Sequence, residues 1–255
     1  MDIATILGLI LGVGSLIGSF LMEGGHLSAL FQIPAIILVI FGTFGAAAIT
    51  TSVKELKNIP NLIKVALFEA QMDTQQLIDL IFDLAQKARK NGLLSLEKDL
   101  DTIREPFLKK AIQLAIDGFE TNKIREILEI EMAYIEERHK AGAMFFNKLG
   151  GFSPTLGIMG TVLGLIHALG NMENSSNMAA AIASAFIATL WGVAMANLIY
   201  LPVSDKLKHK HQSEALYLEI ITEGVISLAM GDNPRVIRMK LVSFLLPDKR
   251  SEAIL

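Results

Sequence analysis

Four long apolar runs organise the chain. They cover residues 3–22, 33–51, 152–169 and 179–203, and none of them contains Asp, Glu, Lys or Arg. Each run is roughly 18 to 25 residues long, which is enough for an α-helix to cross a hydrocarbon core of about 30 Å. Short polar loops join the first run to the second and the third to the fourth, so the pattern predicts two transmembrane hairpins.

Basic residues fix the predicted orientation of these hairpins. All 23 Lys and Arg residues lie between positions 53 and 148 or after position 204, and the two short loops contain none. Because basic loops stay in the cytoplasm, both charged segments and both termini are predicted to be cytoplasmic. The predicted domains are a transmembrane hairpin at 1–52, a cytoplasmic helical domain at 53–148, a second hairpin at 149–203 and a cytoplasmic helical tail at 204–255.

The segment between the hairpins carries helix signals throughout. Asp73 is the predicted N-cap of an amphipathic helix that ends at Gly92, and Ser95 is the predicted cap of a second helix. Pro106 and Gly118 bound a third. Apolar residues recur there at helical spacing without strand-like alternation, so the sequence predicts an all-α domain.

Two of the apolar runs are predicted to continue as helices beyond the membrane. Thr121 opens a helix that meets no breaker before Gly150 and therefore enters the third span. The fourth span is expected to extend to about Gly231, followed by a short helix within residues 233–245. The predicted fold class is thus an all-α membrane protein with four transmembrane helices.

Composition limits the possible functions. A hydrophobic content of 52% and a mean hydropathy of +0.47 favour an integral membrane protein. The net charge of −3 provides no basic surface for nucleic acid, and the absence of Cys excludes disulfides and thiolate metal sites. Because zinc-ligand spacing, a phosphate-binding loop and a nucleophile elbow are all missing from the sequence, we expect neither an enzyme nor a metal or cofactor site.

The apolar runs lack the acid that ion transport needs. Ion-driven proteins carry an ionisable group at membrane depth, yet no carboxylate lies in these runs, and we interpret His167 as an interfacial polar residue. If the protein moves ions, a second chain must supply the carboxylate. The polar groups that remain are Thr155, Thr161, Ser184, Thr189 and the backbone around Pro154 and Pro202, both expected at the same cytoplasmic level.

Small residues predict close helix packing, either within one subunit or between subunits. Trp191, the single tryptophan, lies in the middle of the fourth run and is expected to pack inside the assembly. The small residues at four-residue spacing are Gly8 and Gly12, Gly14 and Gly18, and Gly160 and Gly164.

Three long motifs occur at 88–100, 153–170 and 185–208. They read ARKNGLLSLEKDL, SPTLGIMGTVLGLIHALG and AFIATLWGVAMANLIYLPVSDKLK. Together they resemble the MotA/PomA family of flagellar motor stator subunits, within the MotA/TolQ/ExbB proton channel superfamily. The resemblance implies a homo-oligomeric ring, of five copies, around two copies of a single-span MotB/PomB-type partner anchored to peptidoglycan. It also implies a place among the lipids of the bacterial inner membrane, inward flow of H+ or Na+, and torque on the rotor switch protein FliG.

The resemblance assigns ion-path roles to individual residues. Thr189 matches a position beside the partner's ion-carrying aspartate, and Thr161 matches a position that tends to be Thr in sodium-driven members. Pro154 and Pro202 match two prolines at the cytoplasmic end of the ion path, and Thr155 offers a further hydroxyl there. The coupling ion stays open, because one hydroxyl decides little between H+ and Na+.

Rotor contact is implied for two charged residues. Arg89 and Glu97 match the pair that engages the rotor, whereas without the resemblance they are interpreted as solvated surface charges. Two other functions stay open: an ExbB/TolQ-like energiser of another envelope process, and a stand-alone ion channel or carrier. The first has three spans with its large loop after the first span, so the four predicted spans favour the flagellar stator.

Overall fold

Helices are the only regular secondary structure in the described part of the chain. The computed structural model describes residues 3–68, 72–170, 175–245, 247 and 250, and these contain no β-strand, which confirms the predicted all-α class. The helices are α1 (Ile3–Met22), α2 (Ile33–Ile49), α3 (Val53–Leu67), α4 (Thr74–Asn91), α5 (Pro106–Ile116), α6 (Thr121–Gly170), α7 (Ser175–Met195), α8 (Leu201–Ala229) and α9 (Pro234–Val242), with a one-turn helix at Leu27–Leu30 and a 3-10 helix at Leu93–Asp99.

Three helical stretches of the described residues have the length and composition to cross a membrane. They are Ile3–Met22, Thr121–Gly170 and Met178–Ala229. Helix α2 is apolar but shorter, and its 17 residues correspond to about 25 Å of helix. The chain therefore has candidate membrane helices, and the division into four spans stays a prediction.

Both predicted helix extensions are confirmed. Helix α6 runs from Thr121 to Gly170 without a break. A π-helical turn at Ala196–Tyr200 joins α7 to α8, which ends at Ala229 shortly before Gly231 with its positive φ of 77°. Helix α7 begins earlier than the predicted fourth span, and residues 171–174 of the predicted loop lie outside the described residues.

Contacts divide the chain into two compact units. Unit 1 comprises Met1–Ala70 and His139–His209, and unit 2 comprises Gln71–Arg138 and Lys210–Leu255. In unit 1, α1 contributes no buried residue, so the described interior comes from the other helices. That interior includes a cluster of Ala47, Ala66, Ala143, Phe145, Phe146, Leu149 and Leu207.

Helix α3 in unit 1 begins with a capping box that fixes its start. The Glu55 amide donates to Ser52 Oγ at 3.3 Å, and the Ser52 amide donates to Glu55 Oε2 at 2.8 Å. Hydrogen bonds from the Ser52 backbone and side chain stabilise the carboxylate and lower the pKa of Glu55. This helix is not among the predicted ones, although Ser52 and Glu55 have capping-box spacing in the sequence.

Unit 2 has an aliphatic core with ion pairs at its rim. Arg125 pairs with Glu223 at 2.9 Å, which joins the first part of α6 to α8. Burial raises the pKa of Tyr217 in this unit, and the carboxylates of Glu105 and Asp73 raise it further. The core residues with the least exposure include Ile78, Ile81, Leu108, Ile112, Ile124, Leu128, Ile220, Ile221, Ile237 and Leu241.

Four predicted helix boundaries in unit 2 are confirmed. Asp73 caps α4 by accepting from the amides of Gln75 and Gln76 at 3.0 and 3.1 Å. Gly92 follows α4 with a φ of 82°, which a residue with a Cβ rarely adopts. Pro106 is the first residue of α5, and Gly118 follows that helix with a φ of 77°.

The predicted cap at Ser95 is wrong. Gly92 turns the chain directly into the 3-10 helix Leu93–Asp99, so Ser95 lies inside that helix. Its hydroxyl donates backwards to the Gly92 carbonyl at 2.7 Å instead of accepting from a helix start. A serine near a helix start is therefore insufficient evidence for a cap when a left-handed glycine precedes it.

Candidate functional site

Small residues let α6 and α7 approach each other closely in unit 1. We call this contact the α6–α7 seam. A Cβ added at Gly164 would lie 2.6 Å from the Ala185 Cβ, and one added at Gly192 would lie 2.7 Å from the Ser153 carbonyl oxygen. The packing predicted for Gly164 is therefore realised within one subunit. The seam is formed by Gly157, Gly160 and Gly164 of α6 and by Ala185, Ala188 and Gly192 of α7.

Four oxygen atoms meet in the seam, and we call them the oxygen cluster. They belong to the hydroxyls of Thr161 and Thr189 and to the carbonyls of Gly157 and Ala185. Thr161 Oγ1 lies 3.2 Å from the Gly157 oxygen and 3.1 Å from the Ala185 oxygen, and it contacts Thr189 Oγ1. Thr189 Oγ1 lies 3.3 Å from the Gly157 oxygen. The structure thus brings together the two predicted ion-path threonines.

The oxygen cluster has more acceptors than protons. A hydroxyl supplies one proton and a carbonyl supplies none, so Thr161 and Thr189 provide two protons for these four close oxygen pairs. Two of the pairs therefore have no proton between them. Such a group of oxygen atoms can accept a hydrogen bond from water or a protonated carboxyl group, or can ligate a cation.

The two predicted prolines do not lie at one level of the helix pair, so that expectation is wrong. Ser153, next to Pro154, donates to the Gly192 carbonyl at 2.9 Å, whereas Ser204, two residues after Pro202, donates to the Ala143 carbonyl at 2.9 Å. These contacts are about ten residues apart along α6, or roughly 15 Å. The antiparallel register therefore separates the prolines.

Each proline interrupts regular helix hydrogen bonding at its own level. Pro154 lies inside α6 and has no N–H, so the Gly150 carbonyl lacks its regular donor. Pro202 lies two residues after the π-helical turn, which ends with the Leu201 amide donating to the Ala196 carbonyl. Both positions offer carbonyl oxygens that can bind water or an ion.

Other predicted polar residues lie outside the oxygen cluster. Thr155 is exposed, and its hydroxyl donates to the Phe152 carbonyl of its own helix at 2.7 Å. Ser184 Oγ lies 3.4 Å from Gln32 Oε1. Trp191 packs within its own unit, where its Nε1 donates to the Leu30 carbonyl at 2.7 Å.

The two predicted rotor residues flank the Gly92 turn in unit 2. Arg89 is in the last turn of α4, Glu97 is in the 3-10 helix, and both side chains are exposed. Lys87 Nζ donates to both carboxylate oxygens of Asp99, at 2.8 and 2.7 Å, and so braces the turn. The Lys87–Asp99 ion pair therefore holds the backbone of this charged segment, while the side chains of Arg89 and Glu97 stay exposed.

Several contributors to these sites are not predicted from the sequence. The carbonyls of Gly157 and Ala185 give no residue-type signal, because every residue has one. Ser153 is 0% exposed, and its role follows only from its position opposite Gly192. Lys87 and Asp99 are recognisable as opposite charges, but their pairing depends on the turn at Gly92.

Fold and site define an all-helical protein with apolar, membrane-length helices and an oxygen-lined helix seam. Residues 99–220 match the MotA/TolQ/ExbB proton channel family, and residues 6–92 match the family described as motility protein A N-terminal. Motility protein A of Bacillus subtilis (strain 168) is 38% identical over 246 residues, which cover 96% of this chain and 91% of the relative.

Two solved structures resemble the fold over nearly its whole length. The flagellar MotAB stator complex from Bacillus subtilis matches with a TM-score of 0.92 at 37% identity, and C. jejuni MotAB matches with a TM-score of 0.93 at 33% identity. Each match covers 97% of both chains. The chain belongs to the MotA/TolQ/ExbB proton channel family, within its motility protein A group. It is accordingly a stator subunit of the ion-channel type and not an enzyme, which confirms the function predicted from the sequence.

Proposed function

We propose that this chain is the ring-forming subunit of a flagellar stator in the bacterial inner membrane, where inward H+ or Na+ flow drives torque. Four spans, at 3–22, 33–51, 152–169 and 179–203, would hold five copies around two copies of a single-span MotB/PomB-type partner. The relatives of known structure are stator complexes that contain MotB as well as MotA, and this supports the partner assignment. The charged segments and both termini would face the cytoplasm, in the four-domain arrangement predicted from the sequence.

The oxygen cluster is the observation on which this proposal rests. It lies in apolar helices without Asp, Glu, Lys or Arg in the predicted spans, so no charge of this chain can carry an ion there. A partner's carboxylate that reaches the cluster would be neutralised by H+ or paired with Na+. Thr161 and Thr189 would then offer oxygen ligands as successive subunits pass, and the surplus of acceptors favours this role.

Release of the ion toward the cytoplasm is assigned to the region between the oxygen cluster and the two prolines. Pro154 lies nearer to the cluster along the α6–α7 register, and Pro202 lies about 15 Å further on. Carbonyls freed at the two levels would hydrate the ion in two steps. Thr155, whose hydroxyl bonds its own helix, is assigned a smaller role beside Pro154.

Torque would pass to the rotor switch protein FliG through Arg89 and Glu97. Both are exposed, and neither forms an ion pair with any residue that the structure describes, so both are available to a partner. Exposed ion pairs contribute about 0.2–1 kcal/mol each. A single charge reversal, such as Glu97→Lys, should therefore weaken torque without preventing assembly. Swimming speed and the amount of protein in the membrane would be measured together, and loss of Glu97→Lys from the membrane would contradict the assignment.

Ion flux in reconstituted vesicles tests the proposed function. The chain is co-reconstituted with a single-span partner that carries the aspartate, and H+ and Na+ uptake are recorded. Thr189→Val should lower uptake about fivefold, because it removes one oxygen worth on the order of 1 kcal/mol. Thr51→Val is the matched control, since the Thr51 hydroxyl bonds the Ala47 carbonyl at 2.8 Å, away from the cluster.

Two results would overturn the proposal. One is equal uptake by vesicles that hold this chain alone, since the aspartate of the partner would then be unnecessary. The other is a stable monomer in native mass measurements of the purified complex, because the proposed ring requires several copies. Unchanged ion uptake by the Thr189→Val variant would contradict the assignment of the oxygen cluster to the ion path.

A further inference from the structure

Helix α3 carries a face that its own unit leaves uncovered. One side of the helix packs inwards, where Ala66 is 2% exposed and Leu56, Ile59 and Leu62 contact the cluster around Phe145. The remaining sides point away from that cluster. Helix α3 is therefore bound along one side only.

The uncovered side combines an apolar row with a basic row. Val53 and Pro60 are seven residues apart on α3 and both are exposed, as is Ile63. Lys57 and Lys64 are also seven residues apart, so they form a parallel row on the adjoining surface. Two turns of α-helix bring residues at this spacing onto one line, hence the two rows run side by side.

The charge of this surface is positive. Lys54, Lys57 and Lys64 are exposed and form no ion pair with any residue that the structure describes. Glu55 is the one acidic residue of α3, and its carboxylate already accepts from Ser52. The Glu55 carboxylate offsets only one of the three lysines, so α3 carries a net charge of +2.

Helix α3 also starts where an apolar helix stops. Helix α2 ends at Ile49 and α3 begins at Val53 after a short turn. Lys148 holds this turn by donating to the Thr50 carbonyl at 3.1 Å. Under the proposed topology, on which this inference rests, the turn marks the cytoplasmic surface of the membrane.

We propose that α3 lies in the cytoplasmic membrane interface and binds anionic phospholipid headgroups. Lys54, Lys57 and Lys64 contact the phosphates, while Val53 and Pro60 enter the boundary of the acyl chains. Amphipathic helices with lysines beside an apolar strip bind in this way, and the flexible lysine stems reach outward to the headgroups. A protein partner is less well matched, because three flexible lysine stems present no fixed hydrogen-bond geometry.

The absence of Cys permits a direct test with a single label. Asn61, which is exposed on the lysine side of α3, is changed to Cys and labelled with an environment-sensitive fluorophore. The full chain is reconstituted in phosphatidylcholine vesicles containing about a quarter phosphatidylglycerol, and either lipid carries a bromine quencher. Each lysine near an anionic surface contributes about a fivefold preference at most. We expect brominated phosphatidylglycerol to quench several-fold more strongly than brominated phosphatidylcholine at equal mole fraction.

Charge-matched variants identify the source of the preference. The triple change Lys54→Gln, Lys57→Gln and Lys64→Gln should abolish the preference for phosphatidylglycerol. The control triple change removes three exposed lysines of unit 2 and should leave the preference intact. Those control changes are Lys90→Gln, Lys98→Gln and Lys123→Gln.

Three outcomes would overturn the proposal: equal quenching by both lipids, quenching by neither, or a preference that survives the α3 triple change. A change in the fluorescence of the label that appears only after the single-span partner is added would assign the surface to a protein. That result would also overturn the proposal. Ion uptake of the same vesicles is recorded in parallel. Normal uptake without a lipid preference would refute the role of α3 alone, whereas lost uptake with an intact preference would count against the proposed function.

Discussion

The same glycine spacing leads to opposite packing in α6 and α1. In α6, a Cβ at Gly160 or Gly164 would lie 2.6 Å from the Cβ of an alanine in α7. In α1, a Cβ at Gly8, Gly14 or Gly18 would meet nothing within 4 Å, one at Gly12 would meet only the end of the Leu198 side chain at 3.1 Å, and the helix has no buried residue. Glycines at four-residue spacing permit close approach, but the opposing helix decides whether the approach occurs. In α6 the opposing surface is itself built of small residues, and this makes the contact.

The largest expected difference between the two helices follows from adding one methyl group to each. Gly192→Ala places a Cβ 2.7 Å from the Ser153 carbonyl oxygen and 2.9 Å from the Gly157 Cα, and backbone atoms cannot move aside cheaply. We expect a destabilisation of about 1–3 kcal/mol. Gly14→Ala should be neutral or slightly stabilising, because alanine favours helix by about 1 kcal/mol.

Thermal unfolding of the detergent-solubilised complex measures both variants. A lower midpoint for Gly192→Ala and an unchanged or slightly higher one for Gly14→Ala would confirm the contrast. Equal losses would show that the glycine row of α1 is covered by another subunit in the assembly, and the contrast would then hold only for the isolated chain.

Two serines sharpen the comparison at the level of hydrogen bonds. Ser153 is fully buried and donates across the seam to the Gly192 carbonyl, whereas Ser15 of α1 is exposed and donates to the Gly12 carbonyl of its own helix. Ser153→Ala should cost about 0.5–1.5 kcal/mol, and Ser15→Ala much less. The same unfolding measurement applies, and a larger effect at Ser15 would contradict the assignment.

A third change tests how the loop between α1 and α2 is held. Trp191→Phe keeps an aromatic ring near Phe31 but removes the N–H that donates to the Leu30 carbonyl at 2.7 Å. We expect faster hydrogen exchange in residues 27–32, by a few-fold, since one hydrogen bond is worth about 1 kcal/mol. Phe186→Leu is the control, because Phe186 is 62% exposed on the same helix. Unchanged exchange in Trp191→Phe would show that other contacts hold the loop.

The smallest predicted effect is on pH dependence and concerns an exposed hydrogen bond. The pKa of Glu55 is lowered from its ordinary 4.5 by the hydrogen bonds from Ser52. The capping box is therefore fully formed above pH 4.5 and is lost as the pH falls through the lowered pKa. Hydrogen exchange at the start of α3, corrected for its intrinsic pH dependence, should rise on acidification. Glu55→Gln, which has no titrating carboxylate, should remove this dependence, and a dependence that persists would locate its origin elsewhere.

Helix identity was largely predictable because its signals are local. Asp73, Pro106 and Gly118 act on their immediate neighbours, and each bounds a helix as predicted. The predicted cap at Ser95 was wrong because of another local signal. Gly92, three residues earlier, has a positive φ and turns the chain directly into the 3-10 helix that contains Ser95. The capping-box spacing of Ser52 and Glu55 is a sequence signal for the start of helix α3, but this helix is not among the predicted ones.

The site was only partly predictable because its contacts depend on register. Thr161 and Thr189 were both candidates. Their contact, however, requires a register of α6 against α7 in which these two residues, 28 positions apart in sequence, face each other. Moving either threonine by one position along its helix would rotate its hydroxyl by about 100° around the helix axis and out of the cluster. Thr155 illustrates the point, because it is six residues from Thr161 on the same helix and faces away from the cluster.

The sequence by itself determined that this chain forms apolar and amphipathic helices, that it contains no carboxylate in its apolar runs, and that its basic residues are segregated. These properties belong to residue types and their spacing, and they survive any packing arrangement. The tertiary structure alone decided which glycines are covered, which hydroxyls meet and at what level each proline lies. Those outcomes depend on how one helix surface fits another, a property of two distant segments that neither of them encodes alone.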